Sequence, residues 1–398
     1  MKNSTVIYIL ALAVFLIGTI EYIITGVIEM IALDLKVSTS VAGLLVTAFA
    51  LSAAIGAPIL IATTINMDRK KVLMSALSVF ILSNWLTFFS STFEAVLVSR
   101  ILQGLSGGVA TVVAMAVATR LAVKEKRGNA IGIILMGLSS SLVFGVPIGT
   151  YFSDWLGWKS LFIWMGFITI FPLLVIYKKV PAIKEKEAVT IGMQLSILKD
   201  KRILVALIIT LLYICGYSTL FTYITPFLQA TSPLSITKIS GILFLAGVCS
   251  FVGSRVGGLL ADSKGPKLTI FLGLTLQVVM FLFLSLVGNN LVLLIGVLMI
   301  WMLATWSISP AQQLNLVTLV PHSPDIALSV NTSFIQFGFA LGSGLGGLVI
   351  SHSSILHLNW LGLGVVSIAL LLALLLFSKM NSHVGNHANR GCGQTSHK

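Results

Sequence analysis

The chain has 398 residues, of which 57% are hydrophobic and only 9% charged, with a formal net charge of +13. Soluble domains carry roughly 25% charged residues, so this composition excludes a water-soluble domain and places the chain in lipid. The basic excess calls for no nucleic-acid partner, because Lys and Arg in short loops sit well beside anionic headgroups.

A membrane-crossing helix needs about 20 mostly apolar residues. Runs of that length, cut at charged or Pro/Gly-rich punctuation, fall at 6–28, 39–64, 72–90, 93–119, 128–153, 158–178, 203–230, 239–260, 267–287, 290–316, 325–351 and 357–378. The first run is too long for a signal-peptide core, so it reads as a retained span. Uniform apolarity without alternation excludes barrel strands, and the fold class is an all-α membrane protein with twelve transmembrane helices. Twenty Lys and Arg fall on the side of the two termini, against Lys36, Lys159 and Lys238 on the other. That asymmetry predicts a multi-pass protein of the cytoplasmic membrane with both termini cytoplasmic.

The first span contains FLIGTIEYIITG, residues 15–26, with one acid, Glu21, among apolar neighbours. An acid at membrane depth is a functional-site candidate. It lies fifteen residues from Val6, about 22 Å from the inner edge at 1.5 Å per residue. In the fourth span, running the other way, Arg100 lies about 9 Å below the outer edge of a core about 30 Å thick. The depths agree, so Arg100 is expected to hold Glu21 ionised in one conformation and release it to take a proton in another. A static ion pair that only fixes packing is the alternative. Gln103 shares the face of Arg100 one turn on, and Gly104, Gly107 and Gly108 permit close helix contact.

The fifth span reads GLSSSLVFGVPIGT, where Gly145, Pro147 and Gly149 predict a bend and a thin contact surface. The longest loop, 179–202, then divides the chain into an N-terminal six-helix bundle, 1–178, and a C-terminal one, 203–378. YICGYSTLFTYITP in the seventh span aligns with the Glu21 segment, Gly216 against Gly18. Paired halves with a polar centre are a signature of alternating-access transporters. The eighth span leads into GGLLADSKGPK, where Asp262, Gly265 and Lys267 form a short basic turn read either as a latch at the cytoplasmic mouth or as an ordinary inner loop.

Buried amides need partners, so those of the second half should face a cavity or another helix. Gln312, beside Pro310, is the preferred substrate contact, followed by Asn331 and Tyr217, with Tyr223, Trp306 and Gln336 completing the candidate set. Flat aromatic faces and amides suit a neutral, ring-bearing molecule; interhelical hydrogen bonding is the alternative for each residue. The tail, 379–398, carries His383, His387, Cys392 and His397. A metal would need that segment to curl, and a disordered polar tail is expected instead, with no metal site.

Taken together these stretches resemble the major facilitator superfamily, specifically its twelve-span drug:proton antiporter family. Arg100, Gln103 and Gly104 match the R-x-x-Q-G motif of helix 4. Gly145, Pro147 and Gly149 match the antiporter motif of helix 5, and Asp262, Gly265 and Lys267 match the second-half copy of G-x-L-x-D-x-x-G-x-K. GTIEYIITGVIEMIALDLKVS, GAP at 56–58 and SPAQQLNLVTLVP at 309–321 are similar to the branch of arabinose, sugar and purine-nucleoside efflux proteins. In the first-half inner loop Ile65 stands where that motif has its acid, and Asp68 is displaced by three residues.

The resemblance implies two pseudo-symmetric bundles, a role for Arg100 in proton movement, and export favoured by the helix 5 motif. The resulting expectation is a monomeric, proton-coupled exporter of small organic molecules, driven by the proton gradient without a resident cofactor. A uniporter or uptake permease braced by Glu21 and Arg100 is the second reading. A membrane-embedded enzyme is the third, and the spans show no metal cluster, Asp pair or Ser/His constellation to support it.

Overall fold

A computed structural model describes residues 2–64, 66–123, 127–183, 191–287, 290–320 and 324–392. All of its long elements are helices, and twelve are long and apolar enough to cross a membrane. The first span is made of α1 (Lys2–Tyr22) and α2 (Ile24–Asp34), followed by α3 (Thr39–Thr63), α4 (Arg69–Phe89) and α5 (Phe93–Leu121). The fifth span is α6 (Arg127–Ser140), a π-turn at Ser141–Gly145 and α7 (Val146–Leu156), and the sixth is α8 (Trp158–Lys179). A short helix, α9 (Ile191–Ile197), lies in the connecting segment. The second half repeats the plan with α10 (Lys201–Phe221), α11 (Ile224–Thr231), α12 (Ile236–Lys264), α13 (Pro266–Leu286), α14 (Leu291–Leu319), α15 (Pro324–His352) and α16 (Leu358–Cys392).

Polar side chains set several of the starts. Ser38, Asp68, Thr92 and Asn290 each accept a backbone N–H from the first turn of the helix that follows, satisfying donors that a helix leaves unpaired. Gly157 and Gly265, with φ of +82° and +91°, make the tight turns before α8 and α13, a backbone region open to glycine. Pro147 has no N–H to give to the carbonyl of Val143. The helix widens there, and the N–H of Val146 reaches Ser141 instead.

The helices sort into two bundles. In the first, α1 packs on α5, α6 and α8, and α4 on α5 and α8; in the second, α10 packs on α15 and α16, and α14 on α12 and α13. The halves meet along α3 and α15, along α12 with the π-turn and α7, and where α2 touches α11. The faint repeat in the sequence has a structural counterpart: the first helix of each half is interrupted, at Ile23 and at Thr222–Tyr223, five or six residues after Gly18 and Gly216.

The final helix ends at Cys392, within the segment 379–398 that the sequence reads as a polar tail. The side chains of His383, His387 and Cys392, and all of His397, lie outside the described residues.

Candidate functional site

Between the halves lies a cavity of about 270 Å³. Glu21 and Tyr22 stand at its deep end. From there it runs toward the end of the bundle that carries both termini, where Ile61, Met115, Leu135 and Ser329 line it. At the opposite end the halves are joined. Thr225 Oγ1 donates to the carbonyl of Thr25 at 2.8 Å, Ser240 Oγ to that of Pro147 at 2.7 Å, and Ser40 Oγ to that of Gly347 at 2.6 Å. Thr47 and Ser343 share a hydroxyl hydrogen bond of 2.7 Å. Near that end Asp34 takes an ion pair from Lys159 at 2.8 Å and a bond from the Trp158 indole at 3.2 Å, and the Lys159 contact foremost holds its carboxyl below the usual range.

Glu21 and Arg100 do come together, and the manner corrects the expected ion pair. The guanidinium is fully buried and donates to the carbonyls of Ile20 at 2.9 Å, Leu45 at 3.2 Å and Glu21 at 3.4 Å, and to Gln103 Oε1 at 2.8 Å. Its plane also covers the Phe49 ring at 4.5 Å. Arg100 therefore meets the backbone of Glu21. The carboxylate turns the other way, into the cavity, where Gln336 Nε2 of α15 donates to it at 3.0 Å. The cause is local: Ile20 and Glu21 belong to the last turn of α1, whose carbonyls have lost part of their intrahelical partners at Ile23. A cation there is favoured by the negative end of the helix dipole.

The rest of the fourth-span motif completes that wall. Gln103 Nε2 donates to Thr87 Oγ1 at 3.0 Å, and Gly104 lies against the backbone of Phe49 so closely that any Cβ would overlap it. In the fifth span Gly145 packs on Thr19, Gly149 packs on Ile23 and Leu161, and the carbonyl of Pro147 receives Ser240 from the other half. At the terminus-bearing end Asp262 is exposed, Gly265 forms its turn and Lys267 is half-buried. In the first half Asp68 caps α4 and also accepts the N–H of Ile183 at 2.9 Å, tying the inner loop to the connecting segment; Ile65 lies outside the described residues.

Of the substrate candidates, Tyr217, Trp306 and Gln336 line the cavity. Tyr217 stacks on Phe221 at 4.8 Å and on Trp301 at 5.3 Å, and meets Trp306 edge-on at 6.2 Å. Gln312, Asn331 and Tyr223 do not line it. Gln312 is 1% exposed and donates to the carbonyl of Ala206 and to Thr210 Oγ1, which in turn donates to Asn331 Oδ1 at 2.9 Å. Thr210 thus links the two amides between α10, α14 and α15, and Gln313, one residue on, takes the cavity face. Tyr223 donates to the carbonyl of Ser343 at 2.9 Å and fills the seam at the closed end. The sequence reading missed Tyr22, Phe49 and Phe339, which line the cavity; Tyr22 adjoins Glu21 and was legible by position, whereas the two Phe carry no signal to separate them from core.

The profile of the Major Facilitator Superfamily matches residues 10–325. The chain is 36% identical to the uncharacterized MFS-type transporter YbcL of Bacillus subtilis (strain 168), over 95% of this chain and 97% of that one. It is 30% identical to the inner membrane transport protein YdhP of Escherichia coli (strain K12), over 88% of this chain and 90% of that one. The fold is shared with a bacterial homologue of the human lysosomal transporter Spinster in an inward-facing, unoccupied conformation (TM-score 0.75, 16% identity, 94% and 97% covered). It is shared also with the nucleoside transporter NupG (TM-score 0.73, 13% identity, 94% and 100% covered). A helical bundle in two halves, a central cavity open at one end, and these relatives together establish that the chain belongs to the Major Facilitator Superfamily of membrane transporters.

Proposed function

We propose that the chain is a proton-coupled exporter of small organic molecules, working as a monomer in the cytoplasmic membrane by alternating access. The observation that carries this reading is the Glu21 carboxylate at the deep end of the cavity, within reach of water from one side and bonded to the opposite half. With the termini cytoplasmic, as the distribution of Lys and Arg suggests, the cavity faces the cytoplasm and export begins from this state. Cargo would enter against Tyr217, Trp306 and Gln313, and proton and cargo would compete through the two-state equilibrium between the halves. Two solved transporters of the same fold carry "nucleoside" and "organic anion" in their descriptions at 13% and 17% identity; the likeness supports a small organic cargo and no narrower class.

Purified protein in liposomes with an imposed pH gradient tests the reading. Export should follow the gradient, and Glu21→Gln should abolish that dependence while leaving cargo binding measurable. Export at the full rate in Glu21→Gln would refute the coupling site. The second reading, uniport, draws on Arg100, each of whose three nitrogens is engaged by a carbonyl or Gln103 as a brace would be; it predicts equilibration indifferent to the gradient.

A further inference from the structure

We propose that Gln336 is the positioning residue of a proton site at Glu21, gripping the carboxyl from the opposite half and gripping it more firmly when it is protonated. The inference rests on the proton-coupled reading above. Gln336 Nε2 donates to Glu21 Oε1 at 3.0 Å, while the other end of the same amide, Oε1, is buried with no hydrogen-bond partner. A buried acceptor without a donor is costly. An ionised carboxylate cannot help, because it offers acceptors alone. A carboxylic acid can: its C=O takes the amide N–H and its O–H goes to the amide oxygen, so a side-on acid–amide pair makes two bonds where the carboxylate makes one. A hydronium ion in the cavity gives up one O–H bond and is left as water, and the proton ends on a Glu21 carboxyl oxygen; no other covalent bond changes.

Glu21 belongs to α1 and Gln336 to α15, so protonation adds a bond between halves. Gln336 also ends a continuous seam. Along the same side of α15, Phe339 meets the Tyr22 ring at 5.8 Å, Ser343 meets Thr47, and the carbonyl of Gly347 meets Ser40. The extra bond therefore favours the arrangement in which the far end is closed and the cavity opens toward the termini. An exporter needs that bias, since the proton-loaded carrier must close outside before releasing its proton inside.

The charged and titratable groups around Glu21 are few. Arg100 of α5 reaches its backbone carbonyl, Tyr22 adjoins it on α1, and Tyr213 and Tyr217 of α10 share the cavity. The facing groups of α3, α6, α14 and α15 are neutral: Phe49, Ser139, Trp306 and Gln336. Arg100 is bonded to carbonyls and to Gln103, so its charge stays fixed while the carboxyl titrates.

The test follows the closed end directly. In a chain with its three cysteines replaced, spin labels at Lys36→Cys and Ser232→Cys report the separation of the halves in nanodiscs by double electron–electron resonance. As pH falls, the closed fraction should rise, and one buried hydrogen bond corresponds to about a tenfold change in the closed-to-open ratio. Gln336→Leu should remove most of that response. Glu21→Gln, whose amide can pair doubly with Gln336, should stay closed at every pH. A pH response in Gln336→Leu equal to the parent's overturns the assignment and leaves proton coupling standing. A parent that ignores pH and matches Glu21→Gln overturns both. If Gln336→Leu fails to fold, Gln336→Glu serves: two carboxyls sharing one proton should move the midpoint to higher pH, and an unmoved midpoint overturns the assignment.

Discussion

Arg100 donates to the carbonyl of Ile20 at 2.9 Å, and through that bond and its neighbours it closes the end of α1. The contact is a helix cap supplied from another helix. Its loss would leave buried carbonyls without donors, each costing about 1–3 kcal/mol. We expect Arg100→Ala to lower the unfolding temperature in detergent sharply and Arg100→Lys to recover only part of it, since one ammonium cannot span acceptors set out for a planar fork. Glu21→Gln, which leaves these bonds in place, should hardly change stability. If Glu21→Gln destabilised the protein as much as Arg100→Ala, an ion pair would be the better description.

Glycine substitutions separate close contact from open space. Gly104→Ala would drive its Cβ into the backbone of Phe49, whereas a Cβ on Gly132 meets nothing within 4 Å. Overpacking of this kind costs roughly 1–3 kcal/mol, and removing a helical glycine gains up to about 1 kcal/mol. Gly104→Ala should therefore lower, and Gly132→Ala hold or raise, the midpoint of thermal unfolding. Equal midpoints for the two would contradict the close approach of α3 to α5.

The amides of α14 divide by face. Gln313 lines the cavity and Gln312 is buried among Ala206 and Thr210. Trp306→Ala and Gln313→Ala should weaken cargo binding by about fivefold or more, given that a good aromatic contact or hydrogen bond is worth about 1 kcal/mol or above. Gln312→Ala should leave affinity alone and lower stability, because Ala206 and Thr210 lose a donor. A thermal-shift screen of purine nucleosides, pentoses and cationic dyes supplies the ligand, and titration of each variant supplies the comparison.

Those two neighbours also mark where the sequence stops informing. The spans were legible because twelve apolar runs leave few choices, and the meeting of Glu21 with the Arg100 motif followed from counting depth along two antiparallel helices. The partner of each group was not. A residue and its successor point about 100° apart on a helix, and beside Pro310 nothing in the sequence fixes which of Gln312 and Gln313 turns inward. The seam hydroxyls Ser40, Thr47, Thr225 and Ser240 were invisible for another reason: a Ser or Thr in an apolar helix usually bonds its own preceding turn, and here their partners lie across the halves.

Gly247 makes the seam testable from the other side. It lies on α12 against the Leu142 carbonyl and Val143 Cα of the π-turn, a contact between halves two turns along α12 from the Ser240–Pro147 bond. The neighbouring atoms are backbone, held by the widened turn that Pro147 requires, so they cannot move aside as a side chain tip would. A Leu in place of Gly247 should wedge the halves apart there and leave each bundle intact. We expect Gly247→Leu to shift the Lys36→Cys and Ser232→Cys label pair to longer distances, to reduce transport strongly, and to unfold near the parent's temperature. Short label distances and normal transport in Gly247→Leu would mean that the halves do not seal along this line.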